Sequence, residues 1–378
     1  MEVRHSQLKN LLLRGYETKV PVDIKGAPGI GKSEIVKEVA ERIAESEKKD
    51  FIFWNEINQE EKHKMLSVDL SKVFFFIDIR LAQFDQTDLK GFPNTKMDYA
   101  QWVPTLMFKV LSRPEATGMV FFDEMNLAAP SVTATAYQIV NDHQVGETPI
   151  SKGMFFVSAG NRLEDTNNAF EDPAPLNNRR ANVVLLQPQV RDADNKGDDW
   201  TTWATENNVD PREIAYLNWK ESNLFKYDIE SKDASFPTPR TWTKLSKMIE
   251  GVNDLKNLRA YAGALLGEGI AREFVGFLKL KEKVNIRNLL KNPKLIKKYS
   301  GGENIDVKYS IIAGVAELYV KDQKILNDAL GLCKHLEPEF SMFMLKMMKG
   351  MAKGEFSSKL VKCKNWKGIA QDFAKYVL

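Results

Sequence analysis

The chain has 378 residues, of which 28% are charged and 43% hydrophobic, and a formal net charge of +3. That is the composition of an ordinary globular protein, long enough for two or three domains with separate cores. No apolar run reaches membrane-spanning length, pieces such as Val73-Phe74-Phe75-Phe76-Ile77 being the longest. The first residues also lack the apolar core of a secretory signal, which predicts a cytoplasmic protein.

In chain order, residues 1–186 alternate β-prone apolar runs with helical patterns, which predicts an α/β unit with a parallel sheet covered on both faces. Five strands are expected, at 20–25, 73–79, 119–122, 154–159 and 181–186. Helices are expected at 33–47, 102–113, 131–142 and 167–176, and the polar segment 49–72 joins the first helix to the second strand. Residues 188–199 form a polar linker carrying Asp192, Asp194, Asp198 and Asp199. Everything beyond is predicted helical, at 200–207, 211–219, 241–250, 257–267, 270–280, 308–321, 323–335, 338–350 and 365–377. Phe340, Met342, Phe343, Met344 and Met347 fit core packing better than a cofactor box. Trp200, Trp203 and Trp219 are likewise expected to pack helices together.

The charge is unevenly spread. Residues 251–378 carry 23 basic and 13 acidic residues, a balance of +10, and the first 250 residues are at −7. A basic tail suits nucleic acid or an acidic partner, but these lysines alternate with apolar residues, as on solvated helix faces. The two cysteines, Cys333 and Cys363, lack metal-ligand spacing and are expected as free thiols in a reducing compartment. His5, His63, His143 and His335 are scattered, and no metal role is assigned to them.

Five local signals carry chemistry. Gly26-Ala27-Pro28-Gly29-Ile30-Gly31-Lys32-Ser33 has the form G-x-x-x-x-G-K-[ST] between a strand and a helix. Its glycines let backbone N–H groups cradle a phosphate at the positive end of the helix dipole. Lys32 would reach the β- and γ-phosphates, and Ser33 would ligate Mg²⁺. Met119-Val120-Phe121-Phe122-Asp123-Glu124 is an apolar strand ending in two carboxylates. Asp123 would hold the metal shell and Glu124 would polarise the attacking water. Asn161 follows the strand Phe155-Phe156-Val157-Ser158-Ala159-Gly160, where an amide can orient that water or simply form a turn. Arg179 and Arg180 precede the last core strand. Arg240 falls at a helix start after Thr238-Pro239, and such cations can stabilise a transferring γ-phosphate.

In this order the five signals resemble the AAA+ ATPases over roughly residues 8–250. Walker A would lie at 26–33, Walker B at 119–124, sensor 1 at Asn161, the arginine finger at Arg179 or Arg180, and sensor 2 at Arg240. Phe122-Asp123-Glu124-Met125-Asn126-Leu127-Ala128-Ala129-Pro130 is similar to the D-E-I-N-R-A-P-P of the MoxR branch. Asp85-Gln86-Thr87-Asp88-Leu89-Lys90-Gly91 is similar to its segment ending in D-L-x-G. The segment from Gly267 to Phe274, and the helices after it, look like the C-terminal part of a bacterial and phage subgroup of that branch. Leu127 stands where the branch commonly has arginine, and Arg180 where it has an apolar residue.

The resemblance implies an αβα core at 1–186, a helical lid with sensor 2 at 187–262, and an all-helical C-terminal domain at 263–378. It further implies ATP and Mg²⁺ as cofactors and a homo-hexameric ring with ATP at each interface. The implied work is remodelling or activating a protein client, a role in which that branch often has a partner with a von Willebrand factor A domain. Nucleic acid is not an expected partner. The alternative is a nucleic-acid-acting motor, such as a helicase loader or restriction-type translocase, towards which the basic C-terminal region points. The stretch from Gly91 to Trp102 follows the second expected strand; it is either a pore-facing element of a ring or an ordinary loop.

Overall fold

The computed structural model describes residues 1–96, 101–166, 170, 177–192, 197–230, 234–282, 284–299, 304–352 and 355–377. Apart from Phe170, the helix expected at 167–176 lies outside the described residues, as do Asp194 and Tyr99. Two compact units divide the chain, Met1–Gln187 and Pro188–Leu378.

The first unit is built on a parallel sheet of seven strands, not five. They are β1 (Glu2–Val3), β2 (Val22–Lys25), β3 (Asp50–Phe53), β4 (Val73–Arg80), β7 (Thr117–Asp123), β10 (Met154–Gly160) and β11 (Ala181–Leu185). The small strands β5 (Phe92–Asn94) with β6 (Gln101–Val103), and β8 (Gln144–Val145) with β9 (Thr148–Pro149), form two separate antiparallel pairs. The order across the sheet is β1-β11-β2-β10-β7-β4-β3. The two strands missed from sequence sit at its edges. β1 has only two residues, and β3 is a short apolar run inside a polar segment with no buried residue, so neither shows the continuous apolar signal of a central strand. By contrast β10 is buried at all seven positions, and β4 at six of eight. Gly118 is required where β7 meets β4, because a Cβ there would lie 2.1 Å from the Phe75 carbonyl oxygen.

Helices cover the sheet: α1 (His5–Thr18), α2 (Lys32–Ser46), α3 (Gln59–Lys64), α4 (Gln86–Lys90), α5 (Leu106–Leu111) and α6 (Pro130–Asp142). α2 buries Ile35, Val36, Val39, Ala40 and Ile43, the one-sided stripe of a helix laid on a sheet. α1 was not read from the sequence. Its buried positions Leu8, Leu12 and Gly15 are masked by the run Leu11-Leu12-Leu13. The helix expected at 102–113 begins only at Leu106, because Pro104 lacks the N–H that would extend it and 101–103 pair as β6.

The second unit is helical, as expected. One apolar core runs through it from Val190 to Phe373, crossing the sequence position where a lid was expected to give way to a C-terminal domain. Tyr216, Trp242, Phe274 and Phe277 are fully buried, with Phe274 and Phe277 packed edge-on to Tyr216, Trp242 tilted against it, and Trp219 stacked on Phe277 at 5.5 Å. Met344, Met347 and Met348 are buried with Phe340, so this methionine-rich stretch is core. Among the described residues both cysteines are free, and burial pushes the Cys333 thiol up to about 12. No described helix is long and apolar enough to cross a membrane.

One side chain works against this core. Glu213, on the helix Pro211–Trp219, is fully buried, and neither of its carboxylate oxygens has a hydrogen-bond partner. The neighbouring Arg212 is committed elsewhere, to Asp210 at 2.7 Å and to the Ile249 and Val252 carbonyls. Burial first, and then repulsion from Asp210, hold the Glu213 carboxyl well above the usual glutamate range, with Arg212 opposing. A raised folded-state value favours the protonated form. Its contribution to stability is therefore full below the ordinary glutamate range and is lost as pH rises through the raised value. Glu213→Met should stabilise the protein by about 1–3 kcal/mol at neutral pH and by much less near pH 4. Denaturant unfolding of both proteins across that range checks this; an equal gain at both ends would mean that Glu213 does not titrate on folding.

Candidate functional site

The predicted phosphate loop is the link between β2 and α2. Gly29 and Gly31 have φ of 74° and 99°, left-handed values that favour glycine, and Gly31 caps α2. The loop thereby delivers the first-turn N–H groups of α2 to one point. It is pinned from two sides, by the Gly26 N–H donating to the Gly160 carbonyl at 3.3 Å and by His5 Nε2 at 2.9 Å from the Ile30 carbonyl oxygen. Lys32 is buried, and its Nζ donates to the carbonyls of Gly26 (2.7 Å) and Ala27 (2.9 Å) and to Asn161 Oδ1 (3.2 Å).

Sheet order explains how Asn161 comes within reach of Lys32. β10 lies between β2 and β7, with Gly160 opposite Lys25 and Ser158 opposite Phe122. The residue after β10 therefore emerges between the phosphate loop and the acidic end of β7. Asp123 closes β7, and Ser33 Oγ donates to its Oδ2 at 2.8 Å across ninety residues of sequence. Asp123 Oδ1 accepts from the Glu124 N–H at 2.9 Å. Glu124 itself is exposed, with left-handed backbone (φ 54°, ψ 34°). A hydroxyl and a carboxylate converging in this way are the hard oxygen donors that suit Mg²⁺. The loop amides and Lys32 suit the phosphates that such an ion accompanies. The structure therefore brings together Gly26 to Ser33, Asp123 and Asn161, with Glu124 next to Asp123.

Three contributors to this edge were not singled out from sequence. Asn126 is buried and donates from Nδ2 to the Asn161 carbonyl at 2.7 Å, fixing the turn that carries Asn161. Asp78, on β4, is pushed up to about 6, by burial first and then by repulsion from Asp123, with Arg80 opposing. Its backbone is held on both sides by the Asn55 amide. His5 is the third, through Ile30. Only Asn126 left a sequence signal, as part of the stretch after Asp123-Glu124.

The three arginines differ. Arg179 is exposed. The Arg180 side chain is 2% exposed and lies 3.2 Å from Asp23 Oδ1, inside the sheet. Arg240 belongs to the second unit, where it is exposed in the first turn of the helix Pro239–Ile249. Thr238 caps that helix by accepting from the Thr241 N–H at 3.1 Å.

No family model matches the sequence, and no curated protein is significantly similar to it. Similarity to solved structures is weak. A candidate ATPase of Cytophaga hutchinsonii has 11% identity and a TM-score of 0.32 over 94% of this chain and 87% of its own. The RuvB Holliday junction branch migration motor of Thermotoga maritima has 14% identity and a TM-score of 0.29 over 79% of this chain and 76% of its own. The ORC2 protein of Aeropyrum pernix, solved with ADPNP and ADP, has 13% identity and a TM-score of 0.30 over 95% of this chain and 96% of its own. At such scores these likenesses carry no weight beside the site geometry.

The tightest point of the site is Gly160. A Cβ there would lie 2.3 Å from Asn126 Oδ1 and 3.2 Å from Lys25 Nζ. Gly276, on the helix Glu268–Glu282, faces open space. Gly160→Ala should cost about 1–3 kcal/mol by displacing Asn126 from the Asn161 carbonyl, and Gly276→Ala should add about 0.5–1 kcal/mol. Thermal unfolding of the two variants checks the contrast, and equal shifts would refute the close contact at Gly160.

Proposed function

We propose that the chain is an AAA+ ATP hydrolase of the MoxR-like branch. The observation that carries the ATP hydrolase reading is the convergence of Lys32, the Ser33–Asp123 pair and Asn161 at the carboxyl edge of one parallel sheet, with Glu124 adjoining; the branch rests on the likeness of the segment from Phe122 to Pro130. Each has the chemistry its place demands. Lys32 and the loop amides would hold the β- and γ-phosphates. Ser33 and Asp123 would hold Mg²⁺, which would supply positive charge against that of the phosphates. Glu124 is the general base for water, and Asn161, held by Asn126, orients that water. Arg240 is the cation that reports the γ-phosphate in cis.

Arg179 is our candidate for the arginine supplied in trans, because it is exposed whereas Arg180 is committed to Asp23. An arginine acting in trans requires a ring, and the reading is a homo-hexamer that remodels a protein client. The +10 balance of residues 251–378 supports an acidic client surface. There, Lys256, Arg259, Arg272 and Lys279 line a surface cavity of about 470 Å³ beside Leu255 and Val275. The same charge favours the second reading, a nucleic-acid-acting motor.

Lys32→Ala should abolish ATP binding in titration calorimetry, whereas Glu124→Gln should bind normally and lose turnover by about 10²- to 10⁴-fold. Undiminished affinity in Lys32→Ala would defeat the phosphate-loop assignment. Arg179→Ala subunits mixed with Lys32→Ala subunits should recover activity at mixed interfaces. Background turnover at every ratio, with mixed rings confirmed by native mass spectrometry, would place the arginine in cis or remove its role. DNA or RNA should bind weakly and leave turnover unchanged at about 150 mM salt. Stimulation by either would promote the motor reading over the client-remodelling one.

A further inference from the structure

Arg180 occupies the position after Arg179, where the resemblance leads one to expect an apolar side chain, and Asp23 is its buried complement. Asp23 lies within β2, three residues before the phosphate loop begins, and is 1% exposed. Arg180 is ion-paired with Asp23 at 3.2 Å and donates to Ser158 Oγ at 3.4 Å, Asn177 Oδ1 at 3.1 Å and Asn182 Oδ1 at 3.2 Å. Its guanidinium also lies 3.9 Å from Met125 Sδ and faces the Tyr137 ring. Ser158 in turn donates to Asp23 Oδ1 at 2.5 Å, and Lys25 Nζ lies 3.5 Å from Asp23 Oδ2.

These partners sit on the elements that build the candidate site. Asp23 is on the strand leading into the phosphate loop, and Ser158 is on the strand leading to Asn161. Met125 follows Glu124. A planar fork with several simultaneous bonds has little freedom, and a charge so deeply buried tolerates no half-made pairing. Consecutive residues therefore have opposite surroundings: Arg180 is fixed inside the sheet and Arg179 is offered to solvent.

We propose that Arg180 is a positioning residue. Locked to Asp23 and Ser158, it registers Arg179 against the phosphate-loop strand of its own subunit, so that the cation presented to a neighbouring subunit is held in a set place. This rests on the reading of Arg179 as the trans arginine. A group acting on a transition state loses about 100-fold for a misplacement of about 1 Å, so Arg180 should matter for turnover without touching nucleotide.

The test uses the full-length protein carrying Arg180→Lys, which keeps the charge and loses the fork, and the double variant Asp23→Leu with Arg180→Met, which removes both buried charges. In both, affinity for a fluorescent ATP analogue and KM should stay within about twofold of wild type, while kcat falls about 100-fold. Arg180→Lys subunits should regain turnover when mixed with Lys32→Ala subunits, as Arg179→Ala subunits do. The double variant should retain wild-type melting behaviour, which separates lost positioning from lost folding. If affinity, melting temperature and kcat fall together and mixing restores nothing, Arg180 is structural only. If Arg179→Ala is inactive but Arg180→Lys turns over normally, the positioning proposal fails alone. If Arg179→Ala is fully active, the trans-arginine reading fails first.

Discussion

The arrangement depends on one topological constraint: β10 is inserted between β2 and β7. Without it, β2, which leads into the phosphate loop, and β7, which ends in Asp123, would be neighbours with no third group between them. With it, the turn after β10 projects Asn161 to within hydrogen-bond reach of Lys32, while Ser33 spans to Asp123. Parallel strands impose this geometry, because all of their carboxyl ends open on one edge and a crossover to a non-adjacent position leaves a crevice there. The chain makes that crossover after β10, when it passes to the far side of β2 to form β11.

What could be read from sequence divides by range. The phosphate loop, the acidic end of β7 and the central strands are local patterns, each a run of fewer than ten residues, and they were legible. The edge strands β1 and β3 were not, since an edge strand of two or four residues lacks the buried apolar run that marks β4 or β10. α5 came out shorter than expected because residues 101–103 pair antiparallel with residues 92–94, and Pro104 lacks the N–H that would extend the helix back to them.

The polar support of the site was harder still. Asn126 meets Asn161 across 35 residues, and Ser158 meets Asp23 across 135. No spacing rule links such pairs in a chain whose strands are ordered by crossovers. Asp23 looked like an ordinary polar residue in a β-prone run, and only the structure shows it to be completely enclosed. A buried carboxylate in a central strand and an unexpected arginine before the last one are each anomalies alone, and as a pair they satisfy each other. Glu213 has no such complement: both of its carboxylate oxygens are buried without a hydrogen-bond partner.

The backbone at Glu124 has a different kind of consequence. The strand ends at Asp123, and the next residue lies in the left-handed region, which glycine, asparagine and aspartate enter most readily and other residues enter at a cost of about 1–3 kcal/mol. Conformational preference and the proposed chemistry therefore pull in opposite directions at this position. The residues that would relax the turn are either not acids or one methylene too short to reach where glutamate reaches. On the role proposed for Glu124, a substitution that eases the fold removes the carboxylate, and one that keeps a long acid keeps the strain. The left-handed turn is then the conformational cost of placing a long acid directly after the strand.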